Sequence, residues 1–150
     1  MPIDAKATIA AMEKMKAAMD VEVRFISKNI AATIQKNARA TTPIGREGNS
    51  TNPPGELAAS IIIDGPHFLN RHTTFTQVGP TTIYGRQREL GGPLVPKRAA
   101  YMRFVIDTQV FYKTFVNQKD NPYLYRGLMA SEGKIGTIVN KGVAKILLLP

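Results

Sequence analysis

The stretch that decides the fold reads Met12-Glu-Lys-Met-Lys-Ala-Ala-Met-Asp-Val-Glu-Val-Arg-Phe-Ile-Ser-Lys-Asn-Ile30, within a segment, residues 4–40, that has no proline or glycine. Its apolar residues recur at steps of three or four, at Met12, Met15, Met19, Val23, Ile26, Ile30 and Ile34. This spacing places them on one face of an α-helix. We therefore predict a helical arm over residues 1–40. A break near Asp20 is allowed, since a helix of that length is long for a small domain.

Such a helix is too long for a small sheet to cover. Two arrangements follow, and the sequence favours neither. In one, the apolar face protrudes as an arm or meets a neighbouring subunit; in the other, the helix wraps around the sheet of its own chain. Residues 41–56, which follow, contain three prolines and three glycines and are predicted to be a loop. Loops this long tend to be functional.

The next segment, residues 57–118, is predicted to form β-structure. Thr73–Val78 is expected to pair with Ile83–Arg88 across a turn. A second hairpin is expected from Tyr101–Asp107 and Val110–Val116. Its core-facing residues are expected to be Met102, Phe104 and Ile106. The simplest arrangement is one antiparallel sheet of four or five strands in a meander.

The chain ends in a predicted helix over residues 121–148. Asn121 is expected to cap it, and Pro122 to occupy its first position, where proline is tolerated. Its glycines indicate close backbone packing or a bend near Gly133. They are Gly127, Gly133, Gly136 and Gly142. The elements together predict a single α+β domain over residues 1–150, with a long N-terminal helix, an antiparallel sheet and a C-terminal helix.

Composition restricts the chemistry of this 150-residue chain. It has no cysteine, so disulfides and thiolate metal sites are excluded. It lacks a run of the roughly 18 apolar residues that a membrane-spanning helix needs, and its N-terminus does not resemble a signal peptide. We expect a soluble protein made in the cytoplasm, without a membrane partner.

The charge predicts contact with something acidic, either nucleic acid or an acidic protein neighbour, because the formal net charge is +9. The excess lies in residues 71–103, where Glu89 is the only acidic residue. The basic residues there are Arg71, Arg86, Arg88, Lys97, Arg98 and Arg103. A solvated face with loop arginines explains the same pattern equally well.

The sequence contains no pattern typical of catalysis. It has no nucleophile elbow, no phosphate-binding glycine loop and no metal-ligand spacing, and His67 and His72 are expected to be structural. Glu89 has no evident partner for work as a general base. A salt bridge with Arg86, Arg88 or another subunit is its expected role. We expect no cofactor, no metal and no enzymatic activity.

Several short motifs follow the long helix in a fixed order. They are Thr42-Pro43, Gly55-Glu-Leu57 with Ser60-Ile61, Val78-Gly79, Tyr84 with Glu89-Leu-Gly91, and Asn121-Pro-Tyr-Leu124 with Leu128. This ordered set spans nearly the whole chain and resembles the tail-completion and head–tail joining proteins of long-tailed phages. The chain departs from the family pattern in a longer loop and at three positions. These are Pro54, Ala58 and Leu90, where threonine, a basic residue and phenylalanine are usual.

The resemblance implies a virion structural protein of the phage neck, made in the host cytoplasm. Its copies would form a closed ring, preferably hexameric and otherwise twelve-fold, between the head connector and the tail terminator or tail tube. The ring would complete the tail and join it to the head, while genomic DNA passes through the lumen without sequence-specific binding. The residues expected at subunit or ring contacts are Tyr84, Arg86, Arg88, Glu89, Pro122, Tyr123 and Arg126.

The alternative is a small basic nucleic-acid-binding module. Its surface would consist of the basic residues of 71–103 with Tyr84 and Tyr101 nearby. The affinity of such a module for free DNA falls steeply with salt, whereas a neck protein in isolation is expected to bind free DNA weakly. A small nuclease is a third class, for which the sequence nominates no catalytic residue.

Overall fold

The fold is mixed α+β, as predicted, in a computed structural model that describes residues 5–44, 53–70, 73–106 and 108–148. Its helices are α1 (Ala5–Thr41), α2 (Glu56–Ala59), α3 (Gly85–Leu90), α4 (Tyr123–Met129) and α5 (Glu132–Leu147). Its strands are β1 (Ile61–Asn70), β2 (Thr73–Pro80), β3 (Gly92–Leu94), β4 (Met102–Ile106), β5 (Gln109–Lys113) and β6 (Val116–Gln118). The predicted loop falls largely on residues 45–52, which lie outside the described residues.

The long N-terminal helix is confirmed. α1 runs without interruption for 37 residues, so the break near Asp20 does not occur. Its alanine-rich sequence without proline or glycine favours this continuity. α1 ends before Pro43, whose ring disfavours a helical conformation of the preceding residue. The Thr42 hydroxyl donates to the carbonyl oxygen of Ala38 at 2.6 Å, which satisfies an acceptor of the last turn that has no partner within the helix.

The described strands form three separate two-stranded sheets, so the predicted single meander is wrong. β1 pairs with β2, β3 with β6, and β4 with β5. The main cause is the segment Ile83–Arg88, which enters α3 instead of forming a strand. The N–H of Gly85 donates to the carbonyl oxygen of Thr82 at 3.0 Å, and a Cβ at Gly85 would clash with the ring of Pro80. Because of this tight turn, the segment that follows β2 is not extended and does not pair with it as predicted; β2 pairs with β1 alone.

The hairpin of β4 and β5 is confirmed. Its antiparallel register places Arg103 opposite Tyr112. Met102 and Phe104 are half-buried while Arg103 and Val105 are exposed, as the alternation predicts. Every residue of β5 is exposed. Neither face of that strand is therefore covered by the described part of the chain.

The predicted helix over residues 121–148 is in fact two helices, α4 and α5. The interruption comes at Ser131, slightly earlier than the bend expected near Gly133. Serine is favoured at helix N-termini, and Ser131 occupies the N-cap position of α5. Close packing of a glycine is confirmed at Gly127, where a Cβ would lie 2.5 Å from backbone atoms of Ala38.

The chain divides into two compact units. The first unit comprises Met1–Thr33, Ile63–Gln77 and Ser131–Pro150, and the second unit comprises Ile34–Ile62 and Val78–Ala130. In the first unit, Gly142 of α5 leaves room for the side chain of Ile26 of α1, which a Cβ would meet. The hydroxyls of Ser27 in α1 and Thr76 in β2 lie 2.6 Å apart, within hydrogen-bond distance.

The second unit has a small core. Its buried members are Ala38, Leu57, Ile61 and Tyr123, with Val78, Tyr84 and Leu124 packed against them. The last turns of α1 are tied to β1, because the side chains of Gln35 and Arg39 both donate to the carbonyl oxygen of Ile61 at 2.7 Å. This arrangement fixes the end of α1 beside the elements that carry most of the predicted contact residues.

Candidate assembly interface

Glu89 is used inside the chain. It lies in α3, and its two carboxylate oxygens accept the backbone N–H groups of Leu124 and Tyr125 at 2.9 and 3.1 Å. These groups belong to the first turn of α4, where N–H donors have no partner within the helix, and a negative charge there is favoured by the helix dipole. The expected salt bridge with Arg86 or Arg88 is not formed among the described residues.

The start of α4 differs from the prediction that Asn121 caps it and Pro122 opens it. Pro122 occupies the N-cap position and offers no side-chain cap. The side-chain oxygen of Asn121 accepts a hydrogen bond from the guanidinium of Arg126 instead, and its backbone N–H donates to the carbonyl oxygen of Arg88 at 3.0 Å. Because Asn121 is occupied in this way, the cap is supplied by Glu89 from another helix.

Tyr123 is a core residue. Its side chain is 0% exposed, and its hydroxyl donates to the carbonyl oxygen of Gly85 at 3.1 Å. Burial, together with smaller contributions from the nearby Glu89 carboxylate and Tyr84, raises the pKa of Tyr123 to about 12. The phenol therefore stays neutral and keeps its donor at physiological pH. The prediction of a subunit contact is not retained for Tyr123.

Tyr84 is also engaged within the second unit. It is half-buried just before α3, and its hydroxyl donates to a carboxylate oxygen of Glu56 in α2 at 2.6 Å. Hydrogen bonds to ionised groups are the stronger ones, so this contact holds α2 beside α3. The Thr41 hydroxyl similarly donates to the carbonyl oxygen of Tyr123 at 2.9 Å and ties α1 to α4.

The three arginines of the predicted contact set, Arg86, Arg88 and Arg126, are exposed. Arg88 lines a cleft of about 610 Å³ in the second unit, within the size range of ligand-binding pockets. The apolar part of its lining is Pro43, Ile44, Pro53, Leu57, Ile83 and Leu94. Lys97 adds a second cation, and the side-chain nitrogen of Gln118 on the lining is buried without a hydrogen-bond partner in the described chain. The cleft thus combines apolar surface with polar groups free to pair.

In the first unit, the apolar face of the N-terminal part of α1 is uncovered. We call Ile9, Met12, Met15 and Met19 the α1 stripe; they are 57, 62, 42 and 39% exposed. All residues from 5 to 17 are exposed. The arrangement in which α1 is covered along its whole length by its own sheet is therefore wrong for the described chain. An apolar row on a helix is normally buried against another element.

The α1 stripe belongs to a wider imbalance. Among the described residues, 27 large hydrophobic side chains are exposed, and only five hydrophobic residues are buried. Single exposed apolar residues are normal on soluble proteins. Contiguous ones, as on α1, form an exposed apolar patch, a feature that is more common at interaction sites than elsewhere on a protein surface.

The described residues offer little other chemistry. They contain no group of three or more His, Cys, Asp or Glu side chains that could hold a metal ion. His67 lies 2.9 Å from the Asp64 carboxylate and beside the ring of Phe75, and His72 lies outside the described residues. None of the described helices combines the length and apolar character needed to cross a bilayer.

Comparisons of the chain with protein-family models, with curated proteins and with solved structures found no match. The resemblance to phage neck proteins therefore stays a prediction from the motifs. The structure does bring two of those motifs together, because Glu89 of one caps the helix that begins after Pro122 of the other.

Sequence reasoning missed two residues of this region. Glu56 accepts a hydrogen bond from the hydroxyl of Tyr84. The carbonyl oxygen of Gly85 accepts one from Tyr123, and the lack of a side chain at Gly85 allows the tight turn against Pro80. Glu56 lies within the Gly55-Glu-Leu57 motif and Gly85 follows Tyr84, yet their hydrogen-bond partners Tyr84 and Tyr123 are 28 and 38 positions away in sequence. Contacts between residues this far apart in sequence cannot be predicted from a local sequence pattern.

Proposed function

We propose that the protein is a structural protein of the phage virion neck. Its copies form a ring between the head connector and the tail tube, and this ring completes the tail and joins it to the head. The observation that carries the proposal is the uncovered α1 stripe. Four adjacent apolar side chains on a helix that nothing in the described chain covers have the character of an assembly surface.

A ring also requires an interface between two different surfaces of the same chain. Two such surfaces are available. One is the α1 stripe in the first unit, and the other is the apolar cleft lined by Arg88 and Lys97 in the second unit. The methionines of the stripe suit this use, because their flexible side chains adapt to irregular partners. Exposed Arg86 and Arg126 are the remaining candidates for ring contacts from the predicted set.

The physical coupling of the motifs supports the same proposal. The Glu89 motif and the Asn121–Leu124 motif form one structural device, in which a carboxylate caps α4 and Tyr123 fills the core.

Microscopy tests the proposal. Negative staining of the purified protein is expected to show closed rings, and particles produced without the protein are expected to be filled heads with no attached tails. Purified protein that stays monomeric, together with normal tailed particles in its absence, would contradict the proposal.

The alternative of a dedicated nucleic-acid-binding module is favoured by one observation, the basic surface of the second unit. The two functions predict different affinities for free DNA. A module of that kind binds non-specific DNA at physiological salt with a dissociation constant of about 10⁻⁴ to 10⁻⁶ M as a single copy. A titration of the monomeric protein with duplex DNA at physiological salt separates the two functions: a dissociation constant within this range supports the module, and binding weaker than about 10⁻⁴ M supports the neck protein.

A further inference from the structure

Positive charge is unevenly divided between the two units. The second unit has 11 basic and five acidic residues, and the first has nine and six. Two of the second unit's carboxylates, Glu56 and Glu89, are occupied by Tyr84 and by the start of α4. Both carboxylates keep their charge in these contacts, so the formal charge is +6 for the second unit (11 minus five) and +3 for the first (nine minus six).

The β4–β5 hairpin and the segment before it carry much of this charge. We call Lys97, Arg98, Tyr101, Arg103, Tyr112 and Lys113 the hairpin surface; all six are exposed. Arg103 and Tyr112 lie on one face of the strand pair, and Lys113, which is paired with Met102, lies on the other. From Leu94 to Gln118 the described residues include four cations and no carboxylate, and Asp107 lies outside them. None of the four cations forms an ion pair with another described residue. They are not used to stabilise the described fold through ion pairs.

Two tyrosines complete the hairpin surface. Tyr101 and Tyr112 pack edge to face with ring centres 5.4 Å apart, and they are 55 and 58% exposed. Tyr112 lies directly across the strand pair from Arg103, so their side chains emerge on the same face. A phenol and a guanidinium that stand side by side are both donors to phosphate oxygens.

We infer that the hairpin surface binds the phosphate backbone of double-stranded DNA without reading its sequence. A two-stranded β-ribbon fits the major groove of B-DNA, and cations distributed along it neutralise phosphates. Duplex DNA presents a charge about every 1.7 Å along its axis, so such a surface engages it at any register. The statement that this DNA is the genome passing through the ring rests on the proposed function. The contact between the hairpin surface and DNA does not depend on that function.

The number of cations sets the expected strength. Four phosphate contacts give a slope of log affinity against log salt of roughly −3.6. Affinity then rises about a hundredfold between roughly 200 and 50 mM salt. One copy that binds weakly at physiological salt, as expected for a neck protein, is therefore expected to bind measurably at low salt. A ring multiplies the contacts.

The test is fluorescence anisotropy of a short mixed-sequence duplex, titrated with the full chain across this salt range. The variant Arg98→Gln/Arg103→Gln/Lys113→Gln removes three cations of the hairpin surface. The matched control, Lys28→Gln/Lys134→Gln/Lys141→Gln, removes three exposed cations of the first unit. The hairpin variant is expected to lose about 0.9 of slope per contact, and the control to keep the wild-type slope.

Three further arms secure the interpretation. In the first arm, Arg98→Gln is tested alone. Because Arg98 lies outside both strands, this variant is expected to lower the slope by about 0.9 without disturbing the hydrogen bonds between β4 and β5. Arg98→Lys/Arg103→Lys keeps the charges and is expected to bind about as well as the wild type, since lysine also binds phosphate. Negative staining of the same preparations reports whether rings form, so loss of rings and loss of DNA contact are read separately.

Three results would overturn the inference. The first is equal loss of slope in the hairpin variant and the control, which reports net charge alone. The second is no binding of the wild type at the lowest salt. The third is a hairpin variant that keeps its DNA affinity but no longer joins heads to tails, which identifies an acidic protein as the partner of the hairpin surface.

Discussion

The resemblance predicts subunit contacts for residues of the α3–α4 junction, whereas for the α1 stripe a contact with another subunit is one of two arrangements left open by the sequence. The structure shows different surroundings for the two regions. At the junction, Tyr84, Glu89 and Tyr123 all bond to groups of their own unit. On the stripe, Met12 and Met15 have no cover from the described chain. The comparison shows that the residues of the recognisable motifs stabilise the fold, while a periodic pattern without any motif supplies the exposed apolar surface.

The largest effect is expected from Tyr123→Ala, which tests the structural role of the junction. Removing a fully buried aromatic ring leaves a cavity and costs about 3–5 kcal/mol of unfolding free energy. Urea denaturation measures it. The control is Tyr125→Ala, a neighbouring side chain that is 58% exposed, for which a change within about 0.5 kcal/mol is expected. Similar losses for both variants would place Tyr123 outside the core.

A second comparison at the junction uses two helical glycines. Gly127→Ala places a methyl group 2.5 Å from the backbone of Ala38 and is expected to destabilise the protein by about 1–3 kcal/mol. Gly136→Ala is the control, because a Cβ there has no neighbour within 4 Å. It is expected to be stabilising by up to about 1 kcal/mol through helix propensity. Thermal unfolding of both variants checks the two signs, and a neutral Gly127→Ala would exclude close packing of α4 on α1.

The buried phenol also predicts a pH dependence. The pKa of Tyr123 is about 12 in the folded protein, against about 10 when unfolded. Its contribution to stability is therefore fully present below about pH 10 and is lost as pH rises towards 12. Tyr123→Phe is expected to lose stability at neutral pH, by about 1 kcal/mol or more, because it leaves the carbonyl of Gly85 unpaired. The difference between wild type and variant should shrink through this window, and a difference that grows would reverse the assignment.

Glu89→Gln tests the cap with a smaller expected effect. The amide has one acceptor oxygen and no charge, so about 1 kcal/mol of stability should be lost. Hydrogen exchange at the amides of Leu124 and Tyr125 should accelerate in this variant. Glu13→Gln, an exposed carboxylate on α1, serves as the control. Unchanged exchange at both amides would show that Glu89 does not cap α4 in solution.

Much of the fold follows from sequence patterns. α1 is predicted because its apolar steps persist over many turns, and the β4–β5 hairpin because its alternation is clear. α3 is not predicted, since the contact of Gly85 with Pro80 that shapes its start, although the two residues are close in sequence, has no recognisable sequence pattern. The separation of the strands into three sheets likewise depends on tertiary contacts that no local pattern encodes.

The candidate site was only partly predictable. The sequence correctly indicates an uncovered apolar face on α1 as one of two arrangements, because the helix is too long for its sheet. It does not reveal that Glu89 caps α4, since the donor groups are 35 and 36 residues away in sequence. From the sequence alone, a single carboxylate among arginines is expected to form a salt bridge. Only the structure shows that the first turn of α4 lies beside Glu89.

The smallest effect on stability, and the clearest on assembly, is expected at the α1 stripe. Met12→Lys/Met15→Lys should change the unfolding free energy by no more than about 0.5 kcal/mol, because both side chains are exposed. Ala10→Lys/Ala17→Lys is the matched control. It adds the same charges to exposed positions of α1 that lie off the stripe.

Sedimentation velocity of these two variants beside the wild type is the most direct test of the α1 stripe as an assembly surface. We predict that the wild type and Ala10→Lys/Ala17→Lys sediment as the same oligomer, while Met12→Lys/Met15→Lys sediments as a folded monomer. A stripe variant that assembles like the wild type, or a wild type that is monomeric at every concentration, would contradict this account.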